Sequence, residues 1–315
     1  MPTMLQNCAH GKTAAVLLAL AGAAAIAGVV CFNVQAAASG QTIDPWPRIN
    51  LNVVALDKSG SSYPNAPASE FRILEDNADR PIESVGAPDA PISAAFVIDT
   101  SGSMYRQQPA ISAIVTAVAQ ALPPRSEIMA IEFSEQPHVE QVLAPAAGND
   151  LSVLRHLDAR GGTAVLDAVI ETESLLAKQA HYPRRALILV GDGGDNCSTH
   201  SIDEASRALQ RPGAPSLYSF VLTPIVRNGT NPAEQGERVM KSLVRMSGAV
   251  VFSPHKERDF APAITALVAA VRSQYVVTFN AADASRDGSR HTLEVRLPVR
   301  NLSIYGLPSF YAPEN

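Results

Sequence analysis

Hydrophobic and polar positions follow two different periods along this chain. Between Ile49 and Leu56 they alternate, with Ile49, Leu51 and Val53 on one side and Asn50 and Asn52 on the other, which is the period of a half-buried strand. Glu70 to Glu75 reads as a second strand, Asp76-Asn77 as a turn, and Pro81 to Val85 as a returning third strand. Gly86 to Pro91 then reads as a linker.

Beyond it, apolar runs alternate with amphipathic segments, the signature of a parallel sheet covered on both faces. The runs predict strands at Ile92 to Asp99, Ile128 to Phe133, Ala186 to Gly191, Ser216 to Leu222 and Ala249 to Phe252. Helices are predicted near Ala110 to Leu122, Leu151 to Leu157, Val165 to Ala180, Ile202 to Leu209, Glu234 to Met246 and Asp259 to Arg272. The strand period then returns in Gln274 to Phe279 and around Leu293, Val295 and Leu297, with Asp287-Gly288 as the turn between. The predicted fold class is α/β: a doubly wound, mainly parallel sheet with helices on both faces, flanked by a small β domain. Because each terminal strand set is too short to be stable alone, the N- and C-terminal strands are expected to pair with each other. The corresponding organisation is 39–91 for the N-terminal β segment and linker, 92–272 for the α/β domain and 273–315 for the C-terminal β segment.

The first residues change the picture of where the protein works. Lys12 precedes an apolar stretch from Thr13 to Phe32, and small-residue patterns follow at Val34-Gln35-Ala36 and Ala36-Ala37-Ala38. This layout predicts a signal peptide over 1–38, cleaved after Ala36 or Ala38, and hence an exported protein that is periplasmic, secreted or held at the cell surface. An uncleaved membrane anchor is the competing reading, since the run is about as long as the roughly 20 residues that span a bilayer. Loss of Lys12 moves the formal charge from −5 to −6, which disfavours nucleic acid or an anionic membrane surface as a partner. Cys8 and Cys31 leave with the signal, so Cys197 has no internal disulfide partner and reads as a buried apolar residue first and as an intermolecular link second.

Candidate chemistry lies in three short segments of the α/β part: Asp99-Thr100-Ser101-Gly102-Ser103, Gly161-Gly162-Thr163, and Gly191-Asp192-Gly193-Gly194-Asp195. Each follows a strand or precedes a helix at the carboxyl edge of the sheet, where ligands of open α/β folds bind. They offer two carboxylates, Asp99 and Asp192, and three hydroxyls, Ser101, Ser103 and Thr163. Such an all-oxygen set suits a hard divalent cation, Mg²⁺ first and Mn²⁺ or Ca²⁺ next. Asp195 and Asn196 stand close by as second-sphere candidates, although solvated loop residues are the simpler reading. Taken singly, Ser103 and Thr163 also fit helix N-caps, Asp192-Gly193 a turn, and Asp99 a solvated strand end.

In order and context, Asp99-x-Ser101-x-Ser103, Thr163 and Asp192 resemble the metal-ion-dependent adhesion site of von Willebrand factor A domains and integrin I domains. The resemblance implies that Ser101, Ser103 and Thr163 approach the metal directly, while Asp99 and Asp192 act directly or through water. It also implies that a protein partner supplies an acidic residue to the metal and that no bond is made or broken. A narrower likeness, carried by Phe71 to Asp76, Gly161 to Ala168, Gly191 to Asn196 and Arg272 to Tyr275, is to exported proteins related to this family that abound in Acidobacteria. Gly191 departs from the serine more usual there, and Gly194 from a common acidic residue; neither removes a ligand.

No zinc-binding His-Glu-x-x-His, Walker A loop or Gly-x-Ser-x-Gly elbow occurs, and no catalytic residue is assigned. A metal-dependent hydrolase is the alternative from the enzyme class and would need a deep cleft and a titrating acid or base near Asp192. A scaffold with a vestigial metal site is a third reading, with Trp46, Tyr63 and Ser309-Phe310-Tyr311 as its contact surface, although core packing is the better default for these aromatics. His200 reads as a surface residue. Asn228-Gly229-Thr230 reads as loop, and Thr223 to Gly236 as a mobile segment suited to partner specificity.

Overall fold

A computed structural model describes residues 46–314 except 59, 62, 64, 65, 150, 152–157, 223–231, 282–284 and 300. The proposed signal segment, the Leu151 to Leu157 helix beyond its first residue, and most of the Thr223 to Gly236 loop therefore lie outside the described residues. Three sheets organise the fold.

The central sheet has six strands: β5 (Ser93–Asp99), β6 (Glu127–Phe133), β7 (Pro137–Pro145), β8 (Arg185–Gly191), β9 (Ser216–Val221) and β10 (Val251–Phe252). Their order is β10-β9-β8-β5-β6-β7, and all pairs are parallel except β6 with β7. Every residue of β5 and β9 is buried, as a sheet sandwiched between helices requires. The helices are α1 (Gln108–Ala121), α2 (Val165–Gln179), α3 (Ile202–Leu209), α4 (Pro232–Ser247) and α5 (Glu257–Arg272). They pack as two groups, α1 with α5, and α2 with α3 and α4. Local chemistry sets their ends: Pro109 lies in the first turn of α1, and Ser201 with Glu204 forms a capping box on α3. No helix among the described residues is long and apolar enough to cross a membrane.

The terminal segments build two four-stranded sheets. One orders as β13 (Leu302–Gly306), β1 (Arg48–Asp57), β11 (Gln274–Asn280) and β4 (Ile82–Gly86). The other orders as β14 (Ser309–Tyr311), β12 (Arg290–Arg296), β2 (Arg72–Glu75) and β3 (Ala78–Arg80). N- and C-terminal strands are thus hydrogen-bonded neighbours in both, and the sheets share one core containing Ile49, Leu51, Val53, Ile73, Tyr275, Val277, Leu293 and Phe310.

Several sequence expectations are corrected. Glu70 and Phe71 precede the second strand, because Ala68–Glu70 forms a 3₁₀ turn. The strand expected to return over Pro81 to Val85 does not pair with β2: β3, ahead of Pro81, does so, whereas β4, after it, crosses to the other sheet and pairs with β11. Proline has no N–H to continue the ladder. β7 was not anticipated, since its half-exposed edge position leaves a mixed pattern instead of an apolar run. The residues Glu234 to Gly236, assigned to both loop and helix ends, lie in α4, which starts at Pro232. Phe310 belongs to the β core, in line with the default for an aromatic residue and against the contact-surface alternative. Cys197 is partly exposed rather than buried.

β1 is covered on both faces. Val54 and Leu56 join the α/β core. Asn52, 4% exposed, accepts from Gln274 Nε2 and donates to the Ala214 carbonyl, and Gln274 in turn accepts from the Tyr218 hydroxyl. The side read as the polar face of a half-buried strand is a satisfied polar seam between the β sandwich and the α/β layer. Arg184 makes a second tie: its guanidinium, 1% exposed, donates to the carbonyls of Ala90, Val271 and Arg272 at 2.6, 2.7 and 2.9 Å. Burial pushes its pKa down to about 10, so it remains charged at neutral pH. Arg184→Met is expected to lose about 2 kcal/mol of stability, because three carbonyls, that of Val271 buried, lose charged donors and only the guanidinium's desolvation cost is recovered. Urea unfolding checks this: a midpoint equal to or above the parent's would mean that burial of the charge outweighs the three bonds.

Candidate metal centre

The parallel strands β5, β6 and β8 end together, and their carboxyl ends carry the site. Asp99 is the last residue of β5 and is 0% exposed. After it the backbone is held to β6, with the Thr100 N–H donating to the Phe133 carbonyl at 2.8 Å and the Thr100 hydroxyl to the same oxygen at 3.2 Å. The chain then makes a 3₁₀ turn over Gly102–Met104, anchored by buried Met104. This tight turn brings Ser101 Oγ within 3.0 Å of Ser103 Oγ, and the Ser101 N–H donates to Asp99 Oδ1 at 2.8 Å. Ser101 is buried and Ser103 exposed, so the pair runs from the floor of the site to its mouth.

The second and third loops are tied to the first by backbone bonds. Gly102 N–H donates to the Gly161 carbonyl and Arg160 N–H to that of Thr100. The Thr163 carbonyl accepts from the amides of Asn196 and Cys197, while Asn196 Oδ1 accepts from the Thr163 N–H at 2.8 Å. Asn196 therefore clamps Thr163 directly. Asp195 does other work: its Oδ1 accepts from the Ser198 N–H at 3.3 Å. Asp192 is 7% exposed, and its Oδ1 accepts from the Gly194 N–H at 2.8 Å. A Cβ on Gly194 would lie 3.1 Å from Asp192 Oδ1 and 3.8 Å from Thr163 Oγ1, which places the Thr163 hydroxyl and the Asp192 carboxylate around the same glycine.

The helix-cap readings of Ser103 and Thr163 are not met. α1 starts after Gln107 and α2 after Ala164, and neither start has a side-chain cap from its own cap residue. The α2 amides of Leu166 and Asp167 donate instead to Ser198 Oγ from the third loop. Asp167, at the α2 start, accepts from the amides of Thr199 and His200 and contacts His200 Nδ1 at 2.9 Å. Sequence reasoning missed Ser198 and Asp167 as the fasteners of this loop, since each acts across more than 30 positions of chain. His200 is a surface residue in this network.

The donor set fits a cation on one further observation. Asp99 Oδ2 is buried with no hydrogen-bond partner, an arrangement that costs free energy unless something positive faces it. Burial, and then the negative charge of Asp192, push the Asp99 carboxyl up to about 7. A carboxyl that is ordinary in the unfolded chain and titrates near 7 in the fold makes the cation-free protein less stable as pH rises from about 4 to 7, since the folded state still holds a proton that the unfolded state has already released. The loss is on the order of 4 kcal/mol. The expected result in chelator is a melting temperature that falls with pH across this window, and Asp99→Asn should flatten the slope. A variant slope equal to the parent's would show that Asp99 does not titrate there.

These five residues all lie within the span 94–194, which matches the family model of the von Willebrand factor type A domain. The chain carries a von Willebrand factor type A domain. No curated protein matches the chain in sequence. Among solved structures the chain is similar to protein BatB from Bacteroides thetaiotaomicron, at 14% identity and a TM-score of 0.43 over 56% of this chain and 97% of that one. It is also similar to the PilB minor pilin from Streptococcus sanguinis, at 14% identity and 0.47 over 61% and 63%. A von Willebrand factor type A protein from Catenulispora acidiphila aligns over 84% of this chain and 73% of its own, at 12% identity and 0.45.

Proposed function

We propose that this protein is an exported, non-catalytic binding module in which Asp99, Ser101, Ser103, Thr163 and Asp192 hold one divalent cation, Mg²⁺ before Mn²⁺ or Ca²⁺. The carrying observation is the orphaned Asp99 Oδ2 at the floor of a site whose other polar groups are hydroxyls and a second carboxylate. A bound cation there would supply a fixed positive charge at the surface, and an acidic residue of a protein partner is its natural complement. Adhesion or assembly is the role that follows. Asn196 holds the Thr163 loop in place, and Asp195 shapes the turn that presents Asn196. Tyr105, 67% exposed, and Arg106, whose guanidinium lies 5.5 Å from the Tyr105 ring centroid, flank the mouth as partner contacts. Export rests on the N-terminal segment, and a membrane is involved only if that segment stays uncleaved.

The hydrolase reading gains little. A cleft beside Asp99 is lined by Tyr105, Arg106, Gln108 and Asp158, but the carboxyl there with a raised pKa, Asp99, is itself a ligand of the proposed ion. The test is calorimetric titration of Mg²⁺, Mn²⁺ and Ca²⁺ into the full chain and into Asp99→Asn/Asp192→Asn. One-site binding that the variant loses supports the reading. Binding that survives in the variant overturns it, and hydrolysis of ester or phosphoester substrates that depends on the same residues would favour the enzyme instead.

A further inference from the structure

The β sandwich carries a second constellation, far from the three loops in sequence and independent of the function proposed above. Glu75 closes β2, and Asp76 and Asn77 turn the chain into β3 with positive φ values of 49° and 67°. Asp76 is locked to β12: its Oδ1 accepts from the Thr292 N–H at 2.8 Å and the Thr292 hydroxyl at 2.9 Å. This lock sets His291 across from the turn. His291 Nδ1 lies 2.8 Å from Asp76 Oδ2 and 3.3 Å from Glu75 Oε1.

Two features separate this group from an ordinary surface ion pair. The Glu75 side chain is 1% exposed; Arg80 Nε takes its Oε2 at 2.7 Å, while Oε1 is buried without a hydrogen bond and faces the imidazole. The His291 ring is held on its other side, with Nε2 3.0 Å from Ser289 Oγ and the ring stacked on Phe310 at 5.0 Å and 16°. When Ser289 accepts from Nε2–H, the neutral imidazole points its Nδ1 lone pair at two carboxylate oxygens. That arrangement is repulsive unless a positive charge sits among the three atoms. Thr292 donors keep Asp76 below the usual carboxylate range, so its negative charge persists at neutral pH.

We propose that Glu75 Oε1, Asp76 Oδ2 and His291 Nδ1 bind a divalent transition-metal ion of the Zn²⁺ class. The three donor atoms lie within 4.8 Å of one another. One imidazole nitrogen with two carboxylates is a borderline donor set that selects Zn²⁺ or a neighbouring first-row ion over Mg²⁺ and Ca²⁺. Ser289 and Phe310 orient the ring, as groups around a metal-bound histidine do. Asp76 is half exposed, which leaves a path for the ion and for coordinated water.

The experiment titrates Zn²⁺ into the full-length Asp99→Asn/Asp192→Asn chain, so that the first site cannot contribute, with His291→Gln and Asp76→Asn added separately. Asp76→Asn keeps the turn and the Thr292 bonds, and so tests the ligand without unfolding the hairpin. One Zn²⁺ is expected to bind, to shift the His291 ring resonances, and to be indifferent to millimolar Mg²⁺; each added substitution should weaken it at least about ten-fold. Absence of Zn²⁺ binding, binding unchanged in His291→Gln, or an imidazole that keeps both protons at saturating Zn²⁺ would overturn the proposal and leave a proton as the bridging charge.

Discussion

Replacement of both Asp99 and Asp192 by asparagine is expected to lower divalent-cation affinity at least about 100-fold while leaving the fold intact, and to raise stability at pH 7.5 in chelator. The two outcomes have one cause. Asparagine keeps the volume and one oxygen of each aspartate but removes two negative charges, and at an effective dielectric of about 20 a single charge about 4 Å away is worth about 4 kcal/mol. A cation loses that attraction. The cation-free fold loses a repulsion, because Asp99 is buried beside Asp192 and its carboxyl is pushed up to about 7. Calorimetric titration reads the first effect and thermal melting the second. A variant that loses binding by unfolding would melt lower, not higher, so the pair of readings separates a ligand role from a structural one. A well-folded parent that binds none of Mg²⁺, Mn²⁺ and Ca²⁺ would remove the cation from the function and move attention to the β sandwich.

The largest loss of stability is expected from Gly248→Ala, about 4 kcal/mol, or a fall in melting temperature of about 10 °C. Gly248 follows α4 with φ +69°, and a Cβ there would overlap the Gly306 carbonyl and the Leu307 amide. These are backbone atoms of β13 and its end, and β13 pairs with β1 through Val53↔Gly306. Neither partner can swing away as a side chain would, so relief requires the α/β layer and the sandwich to separate locally. Gly213→Ala is the matched comparison. Its φ is +77° with nothing within 4 Å of the added carbon, so it reports backbone strain alone, about 1 kcal/mol. Equal losses in the two variants would show that the close approach at Gly306 does not hold in solution.

Much of the fold could be read from the chain because its signals are local. The run Phe96-Val97-Ile98 is uninterrupted because β5 is buried on both faces, and the alternation of Ile49, Leu51 and Val53 marks one face of β1. The motif Asp99-x-Ser101-x-Ser103 lies within one turn, so its three side chains were bound to be neighbours whatever the rest of the chain did. Periodicity says which face of an element is apolar, and spacing says what one loop can gather.

Neither says what lies on the other side. The polar face of β1 was legible as polar, but only the tertiary structure showed Asn52 sealed against Gln274 and Ala214. The same holds for Arg184, an ordinary charged residue by sequence that is buried on three carbonyls, and for β7, whose half-exposed edge carries no clear period. Pro81 to Val85 was legible as a strand, but not that it pairs with β11 in the other sheet. Glu75, Asp76 and His291 meet because β2 pairs with β12 across more than 200 residues. What the sequence determined by itself, then, was the identity of the elements and of the loops that follow them, through interactions a few residues long. Which polar groups face each other was decided by strand pairing and by the closure of the sandwich against the α/β layer, because those contacts join residues whose separation along the chain carries no pattern.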